Sequence, residues 1–310
     1  MKTYPQNKNK LVKKKILFFG GSGLLALNWA NKIHKNWNIV LLKHKRNVSF
    51  QHAKIMQLEK ISKSNIIEII NKVKPFVVVN CAAITEVEKC EKENDKAKLV
   101  NSILPQIIAN VCKLMRIKFV QISTDHLFNG KKSFYQEDNP ISPLNNYGIT
   151  KAQAEISVLN ENPEALLIRT NFFGWGTSYR DSFSDWIIKS LRESKVIKLF
   201  SDVYFTPIYI EELINIIHIL IEKNKQGIFN IVSKERISKF EFGIKIAKIF
   251  KYPLTLISPI SIDEIDFLVT RPKDMSLSTA KITNEIKYQI KDLESQLLDL
   301  KNQEKMRLKI

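Results

Sequence analysis

From Lys15 onward the chain alternates two kinds of segment. Short runs apolar at nearly every position are "KILFFGG" (15–21), "NIVLLKH" (38–44), "FVVVNCAA" (76–83), "KFVQIST" (118–124) and "ALLIRTNFF" (165–173). Between them lie "LLALNWANKIHK", "SNIIEIINKVK", "AKLVNSILPQIIANVCKLM" and "GITKAQAEISVLN", where apolar residues return every three to four places, the period of a helix. Uniformly apolar strands are those covered on both faces, and strand-helix alternation builds a parallel sheet. The pattern predicts an α/β protein with a Rossmann-type doubly wound parallel sheet, six strands of which are nearly complete by residue 170.

Beyond that point the pattern loosens into the helical stretches "SDWIIKSLRES", "IEELINIIHILIEK" and "KFEFGIKIAKIF", with "GIFNIVS" as a short strand. A smaller C-terminal α/β substrate-binding lobe is expected, which places a nucleotide-binding domain at 1–170, with a basic tail at 1–14, and the second lobe with a C-terminal helix at 171–310. In that last helix Ile286, Ile290, Leu293, Leu297 and Leu300 recur at four-three spacing, which suits a coiled-coil seam or packing on the chain's own body.

Composition changes this picture little. At 310 residues, with 44% hydrophobic and 26% charged positions, the chain can bury a substantial core. No apolar run reaches the length of a membrane span, and no secretory signal pattern opens the chain, so a cytoplasmic protein is expected. Cys81, Cys90 and Cys112 lack metal-ligand or disulfide-framework spacing, and the five histidines form no zinc-binding pair, so no metal is expected. The net charge of +18 is spread through every segment. It reads as a lysine bias that attracts anionic ligands rather than as a nucleic-acid stripe.

The chemistry begins at the turn Gly20, Gly21, Ser22, Gly23, Leu24, Leu25, where the first strand passes into the first helix. Gly21, Gly23 and Ala26 fit G-x-G-x-x-G/A, and Gly20, Gly23 and Ala26 fit G-x-x-G-x-x-A. In either register small residues let the backbone approach a pyrophosphate that the helix N-terminus attracts. The second strand ends in Lys43, His44, Lys45 and Arg46, where an NAD site usually carries an acid. That cluster favours NADP(H) over NAD(H), with Arg46 as the phosphate clamp, although the general lysine bias offers a second explanation.

A tyrosine and a lysine four residues apart share one helix face, as Tyr147 and Lys151 do in "NNYGITKAQAE". Alone, this spacing means little in a lysine-rich chain. Its place after "QISTD" puts Ser123, Thr124 and Tyr147 at the sheet edge that also carries the glycine turn.

On the segments "GGSGLLA", "KPFVVVNCAAITEVEKCE", "LVNSILPQIIA", "ISTDHLFNGKKSFYQEDNPISPLNNYGITKAQAE", "LLIRTNFFGWG" and "TRPKDMSLSTAKI", the chain resembles the extended short-chain dehydrogenase/reductases. Within them it is similar to the dTDP-4-dehydrorhamnose reductase group of nucleotide-sugar reductases. The resemblance implies NAD(P)H-dependent reduction of a 4-keto-6-deoxy nucleotide-sugar for surface polysaccharide. It makes Tyr147 the proton donor, its pKa lowered by the Lys151 ammonium, and Thr124 the group that orients the carbonyl. It also implies cofactor contacts from Asn80, Ala82 and Ala83, support from Asn101, and a substrate side comprising Thr124, Asp125, Arg169, Asn171 and Arg271. Arg169 and Arg271 are candidates to face a diphosphate, with bracing of the strand edge as the other reading of Arg169.

Departures from the family pattern leave the substrate open. His126 stands where the family has an aromatic residue, and is read as a packed or solvent-facing ring rather than a proton relay. "DVYFTPI" (202–208) lacks the glutamine, glycine and threonine of the family's substrate-side motif. Glu137-Asp138 and Glu86-Glu88 read as solvated acids. The alternatives are a non-catalytic NADP-binding regulatory subunit of the same fold, and an epimerase or dehydratase in which Asp125 supplies an acid. The expected partner is a nucleotide-sugar, without nucleic acid or membrane, and a homodimer is left open.

Overall fold

The computed structural model describes residues 13–306, so most of the predicted basic tail, residues 1–12, lies outside the described residues. Seven parallel strands form one sheet. Six are β1 (Lys15–Phe19), β2 (Asn38–Lys43), β3 (Ala53–Gln57), β4 (Val77–Asn80), β5 (Lys118–Ile122) and β6 (Leu166–Arg169). They lie in the order β6-β5-β4-β1-β2-β3, and Gly227–Asn230 adds a seventh strand beside β6. The order reverses direction between β1 and β4, the switch point where doubly wound sheets bind ligands.

Helices cover both faces. They are α1 (Leu24–Ile33), α2 (Lys63–Val73), α3 (Val87–Lys92), α4 (Asn94–Lys98), α5 (Leu104–Leu114), α6 (Asn146–Glu161), α7 (Phe183–Arg192), α8 (Ile210–Glu222), α9 (Lys239–Phe250), α10 (Ala280–Ile286) and α11 (Leu293–Asn302). Successive strand residues point to opposite faces. Ile16, Phe18, Val77, Val79, Val120 and Ile122 accordingly join the core under α1, α8 and the second lobe. Leu17, Phe19, Val78, Phe119 and Leu167 join the core under α2 and α5. This two-sided burial is the physical cause of the unbroken apolar runs.

Three expectations are revised. β3 is absent from the predicted strands, because "AKIMQ" is an edge strand of partly buried and exposed positions and lacks an apolar run. The cut at residue 170 is not clean: Gly227–Asn230 returns to the main sheet, and α8 packs against α1. The C-terminal helix is two helices, separated after Lys287, which adopts the left-handed conformation at φ 51°. Ile286, Ile290, Leu293, Leu297 and Leu300 are all buried in the chain's own core, so the coiled-coil seam gives way to intramolecular packing.

Candidate active site

The turn after β1 is shaped by its glycines. Gly20 has φ +73°, and a Cβ there would stand 2.6 Å from the Ala82 nitrogen, so the β1 and β4 ends approach as only glycine allows. Gly21 N donates to the Leu42 carbonyl at 2.7 Å, and Gly23 N to the Gly20 carbonyl at 2.8 Å. Gly23 caps α1 without a side chain, and the helix's first turn carries no acid. The amides of this helix end remain free for an anion, which the macrodipole also favours. Gly23, Leu24 and Leu25 line a cavity of about 460 Å³. The turn therefore fits a dinucleotide pyrophosphate.

At the end of β4, Ala82 and Ala83 line the same cavity. Asn80 does not reach it. Its side chain is fully buried, with Oδ1 accepting from Ala82 N at 3.1 Å and Nδ2 donating to Gln121 at 2.8 Å. The expected cofactor contact at Asn80 is thus corrected to a prop for the Ala82 peptide. Asn101 props the chain in the same way at Ile84. It accepts from Ile84 N at 2.8 Å and donates to Ile84 O at 3.0 Å and to Thr150 Oγ1 at 3.2 Å. It lies in a single π-helical turn, Leu99–Ile103, where the apolar periodicity predicts one continuous helix.

The end of β5 and the first turns of α6 bring Thr124, Asp125, Tyr147 and Lys151 to one side of the cavity, all buried. Asn145 caps α6, accepting from Gly148 N at 3.0 Å, and so fixes where Tyr147 and Lys151 project. Thr124 Oγ1 donates to Asp125 Oδ1 at 3.2 Å, and Asn171 Nδ2 donates to Asp125 Oδ2 at 2.5 Å. Lys151 Nζ donates to the Ile122 carbonyl at 2.7 Å.

Burial sets the protonation of this group. It pushes the Tyr147 phenol well above its ordinary value; a hydrogen bond with Thr124 opposes the shift and the Asp125 charge adds to it. The expected lowering by Lys151 is therefore not what governs Tyr147 in the protein alone, and the phenol keeps its proton throughout the neutral range. Burial lowers Lys151 to about 8, with Glu155 and then Cys81 opposing.

At Arg169 the structure agrees with bracing of the strand edge, not with a diphosphate contact. Arg169 is 1% exposed, its guanidinium forks onto Glu155 at 2.7 to 3.1 Å, and Nη1 reaches the Glu137 carbonyl at 3.0 Å. It braces β6 against α6 and is not available to a diphosphate. Arg271 also stands off the cavity lining, paired with Glu88 and stacked on Phe267 at 4.2 Å. Glu88 and Glu137 are therefore partnered rather than merely solvated, the latter also accepting from Asn230 N at 2.8 Å. Residues 202–208 do not line this cavity. His126 does, with its ring edge-on to Tyr147 at 5.4 Å and its buried Nδ1 without a hydrogen-bond partner among the described residues; burial lowers its pKa, Asp125 opposing.

Some neighbours have no signal in the sequence. Lys239, the first residue of α9, holds its ammonium 3.3 Å above the Phe205 ring, and burial lowers it to about 8 against the pull of Asp125. Thr85 and Arg180 line the cavity and are joined by a 2.7 Å hydrogen bond. Lys239 follows a helix cap and Arg180 sits in a loop, so nothing in spacing or periodicity marks them.

A family model described as "RmlD substrate binding domain" matches residues 14–306. The probable low-salt glycan biosynthesis reductase Agl14 of Haloferax volcanii is 27% identical over 285 residues, 91% of this chain and 95% of its own length. Methionine adenosyltransferase 2 subunit beta of Xenopus tropicalis is 25% identical over 289 residues, 87% of this chain and 81% of its own. Among solved structures, a hypothetical dTDP-4-dehydrorhamnose reductase from Sulfolobus tokodaii superposes with a TM-score of 0.79 at 29% identity, covering 91% of this chain and 98% of that one.

Proposed function

The chain belongs to the RmlD substrate binding domain family, and we propose that it is an NADPH-dependent reductase of a 4-keto-6-deoxy nucleotide-sugar, acting in the synthesis of a surface glycan. The observation that carries this reading is the convergence of Thr124, Tyr147 and Lys151 on one cavity with the uncapped start of α1. Relatives named as a glycan biosynthesis reductase and a dTDP-4-dehydrorhamnose reductase support it.

Reduction of a ketone needs a hydride on carbon and a proton on oxygen. The reduced nicotinamide, when bound, supplies the hydride. Tyr147 supplies the proton, since its buried phenol is held in the acid form. Thr124 turns its hydroxyl from Asp125 to the substrate carbonyl, and so aligns that oxygen with the phenol. Lys151, one turn beyond Tyr147 on α6, holds the nicotinamide ribose and places a cation beside the developing phenolate. Ala82 and Ala83, which line the cavity, would face the cofactor, and Arg46 would take its extra phosphate. Asp125 serves the substrate side as an acceptor, holding Asn171 and, until the carbonyl arrives, Thr124.

The test is NADPH oxidation with a panel of dTDP-, UDP-, GDP- and CDP-linked 4-keto-6-deoxysugars, for the protein and for Tyr147→Phe. Turnover that vanishes in the variant, with NADPH binding retained, is expected; full activity in Tyr147→Phe overturns the reading. A second reading follows from the likeness to methionine adenosyltransferase 2 subunit beta, a protein named as a subunit. On that reading the chain binds cofactor without turning it over, and tight NADPH binding with no oxidation across the panel supports it. The complete Thr124, Tyr147 and Lys151 set favours the reductase.

A further inference from the structure

Tyr179 lies in the loop between the short strand Phe172–Phe173 and α7, far in sequence from the glycine turn. Its hydroxyl donates to the Ser22 carbonyl, inside that turn, at 2.5 Å. The Arg46 guanidinium lies over its ring, 4.1 Å from the centroid. Arg46 itself is exposed, and among the described residues no carboxylate pairs with it. A cation that no described carboxylate pairs with, held over an aromatic face beyond the end of β2, is positioned for a ligand's charge rather than for the fold.

The loop that carries Tyr179 is pinned at its base. Gly174 N donates to Ser184 Oγ and Gly176 N to Asp185 Oδ2, each at 3.1 Å, and Thr177 N donates to the Arg180 carbonyl at 2.9 Å. Next to Tyr179, Arg180 reaches across to Thr85 on the far wall of the cavity. The loop therefore bridges the cleft twice, once at the phosphate turn and once beside the β4 end.

We propose that Tyr179 is a positioning residue for cofactor selectivity: its ring holds Arg46 in the orientation that meets the ribose phosphate of NADPH, and its hydroxyl ties the ring to the phosphate-binding turn. The inference rests on the NADPH reading above and deepens it. Arg46→Lys would not serve equally, because a guanidinium can fork onto a phosphate in two parallel hydrogen bonds while it rests on the ring, and a point-charge ammonium cannot. The lysine-rich background of the chain then leaves selectivity to one arginine with an aromatic platform.

Binding of NADPH and of NADH to the full-length protein, followed by the fluorescence of the reduced nicotinamide, tests this without substrate or turnover. The intact protein is expected to favour NADPH, and Arg46→Ala to lose about tenfold or more of that preference. Tyr179→Leu is expected to lose about three- to fivefold by freeing the guanidinium, with NADH affinity little changed. Tyr179→Phe keeps the ring under Arg46 but unties it from the turn, and is expected to lose part of the preference, less than Tyr179→Leu. An intact protein that binds both nucleotides equally overturns the NADPH reading and this inference together. A preference lost in Arg46→Ala but untouched in Tyr179→Leu overturns the inference alone.

Discussion

The Glu155 carboxylate and the Arg169 guanidinium meet at 2.7 Å with 2% and 1% of their side chains exposed, one turn beyond Lys151. An ion pair so enclosed is costly to assemble and more costly to break, because the survivor is left as a lone buried charge. It also holds α6, the helix of Tyr147 and Lys151, against β6.

Arg169→Met is therefore expected to destabilise the protein by roughly 3 to 5 kcal/mol. Glu155→Gln should cost somewhat less, since an amide keeps some of the hydrogen bonding. Urea denaturation of both variants measures this. Unchanged midpoints would show that the pair is not holding α6 in place.

A pH dependence follows from Lys151, which burial lowers to about 8 from 10.5. Between those values the unfolded chain keeps a proton that the folded chain has released, so stability rises with pH across the window. The cation needed beside Tyr147 is present below about pH 8 and lost above it. kcat/KM for reduction should accordingly be level on the acid side and fall above pH 8. Lys239 also titrates near 8, so Lys239→Met is the control: the alkaline limb should persist there. In Lys151→Met the rise of stability between pH 8 and 10.5 should shrink, which thermal melts against pH will measure.

The strands buried on both faces are legible because such burial leaves only apolar residues to choose from, as in "VVVN". The glycine turn is legible because Gly20 meets a local constraint written in neighbouring positions, whereas the Tyr147–Lys151 pair gains its meaning only from its place after "QISTD" and from the surrounding motifs. What stays hidden depends on contacts between distant segments. Arg169 reads as a ligand for phosphate because its partner Glu155 lies on another element, and Asn80 reads as a cofactor contact because its two partners are Ala82 and Gln121. β3 escapes detection for the opposite reason, since an edge strand needs no apolar run.

Thr124 donates to Asp125 in the protein alone, which makes its hydroxyl an adjustable donor held in reserve. Thr124→Val keeps the shape of the side chain and removes the donor. kcat should fall by about 10²- to 10³-fold, the usual cost of one oxyanion donor. Thr124→Ser keeps the hydroxyl and should recover most of the rate. Steady-state kinetics at saturating NADPH separates the two, and equal losses in Val and Ser variants would assign Thr124 to packing.

Asn101 closes a bridge on which the cavity wall depends. Its carboxamide satisfies both the N–H and the C=O of Ile84 and reaches Thr150, whose hydroxyl in turn donates to the carbonyls of Asn146 and Tyr147. Asn101→Ala leaves the Ile84 N–H without its side-chain partner and the Ile84 carbonyl with Cys90 Sγ alone, at a cost of about 1 to 3 kcal/mol for the N–H left unsatisfied. The β4 end, including Ala82 and Ala83, would shift relative to the start of α6. Cofactor affinity and kcat should then fall together, whereas Tyr147→Phe should lower kcat with affinity retained. Asn101→Asp is the sharper variant, because a carboxylate still accepts from Ile84 N but repels Ile84 O. It should lose most of the rate near neutral pH and regain some of it as acid protonates the new carboxyl. A rate profile for Asn101→Asp that runs parallel to that of the intact protein would remove Asn101 from any role in shaping the site.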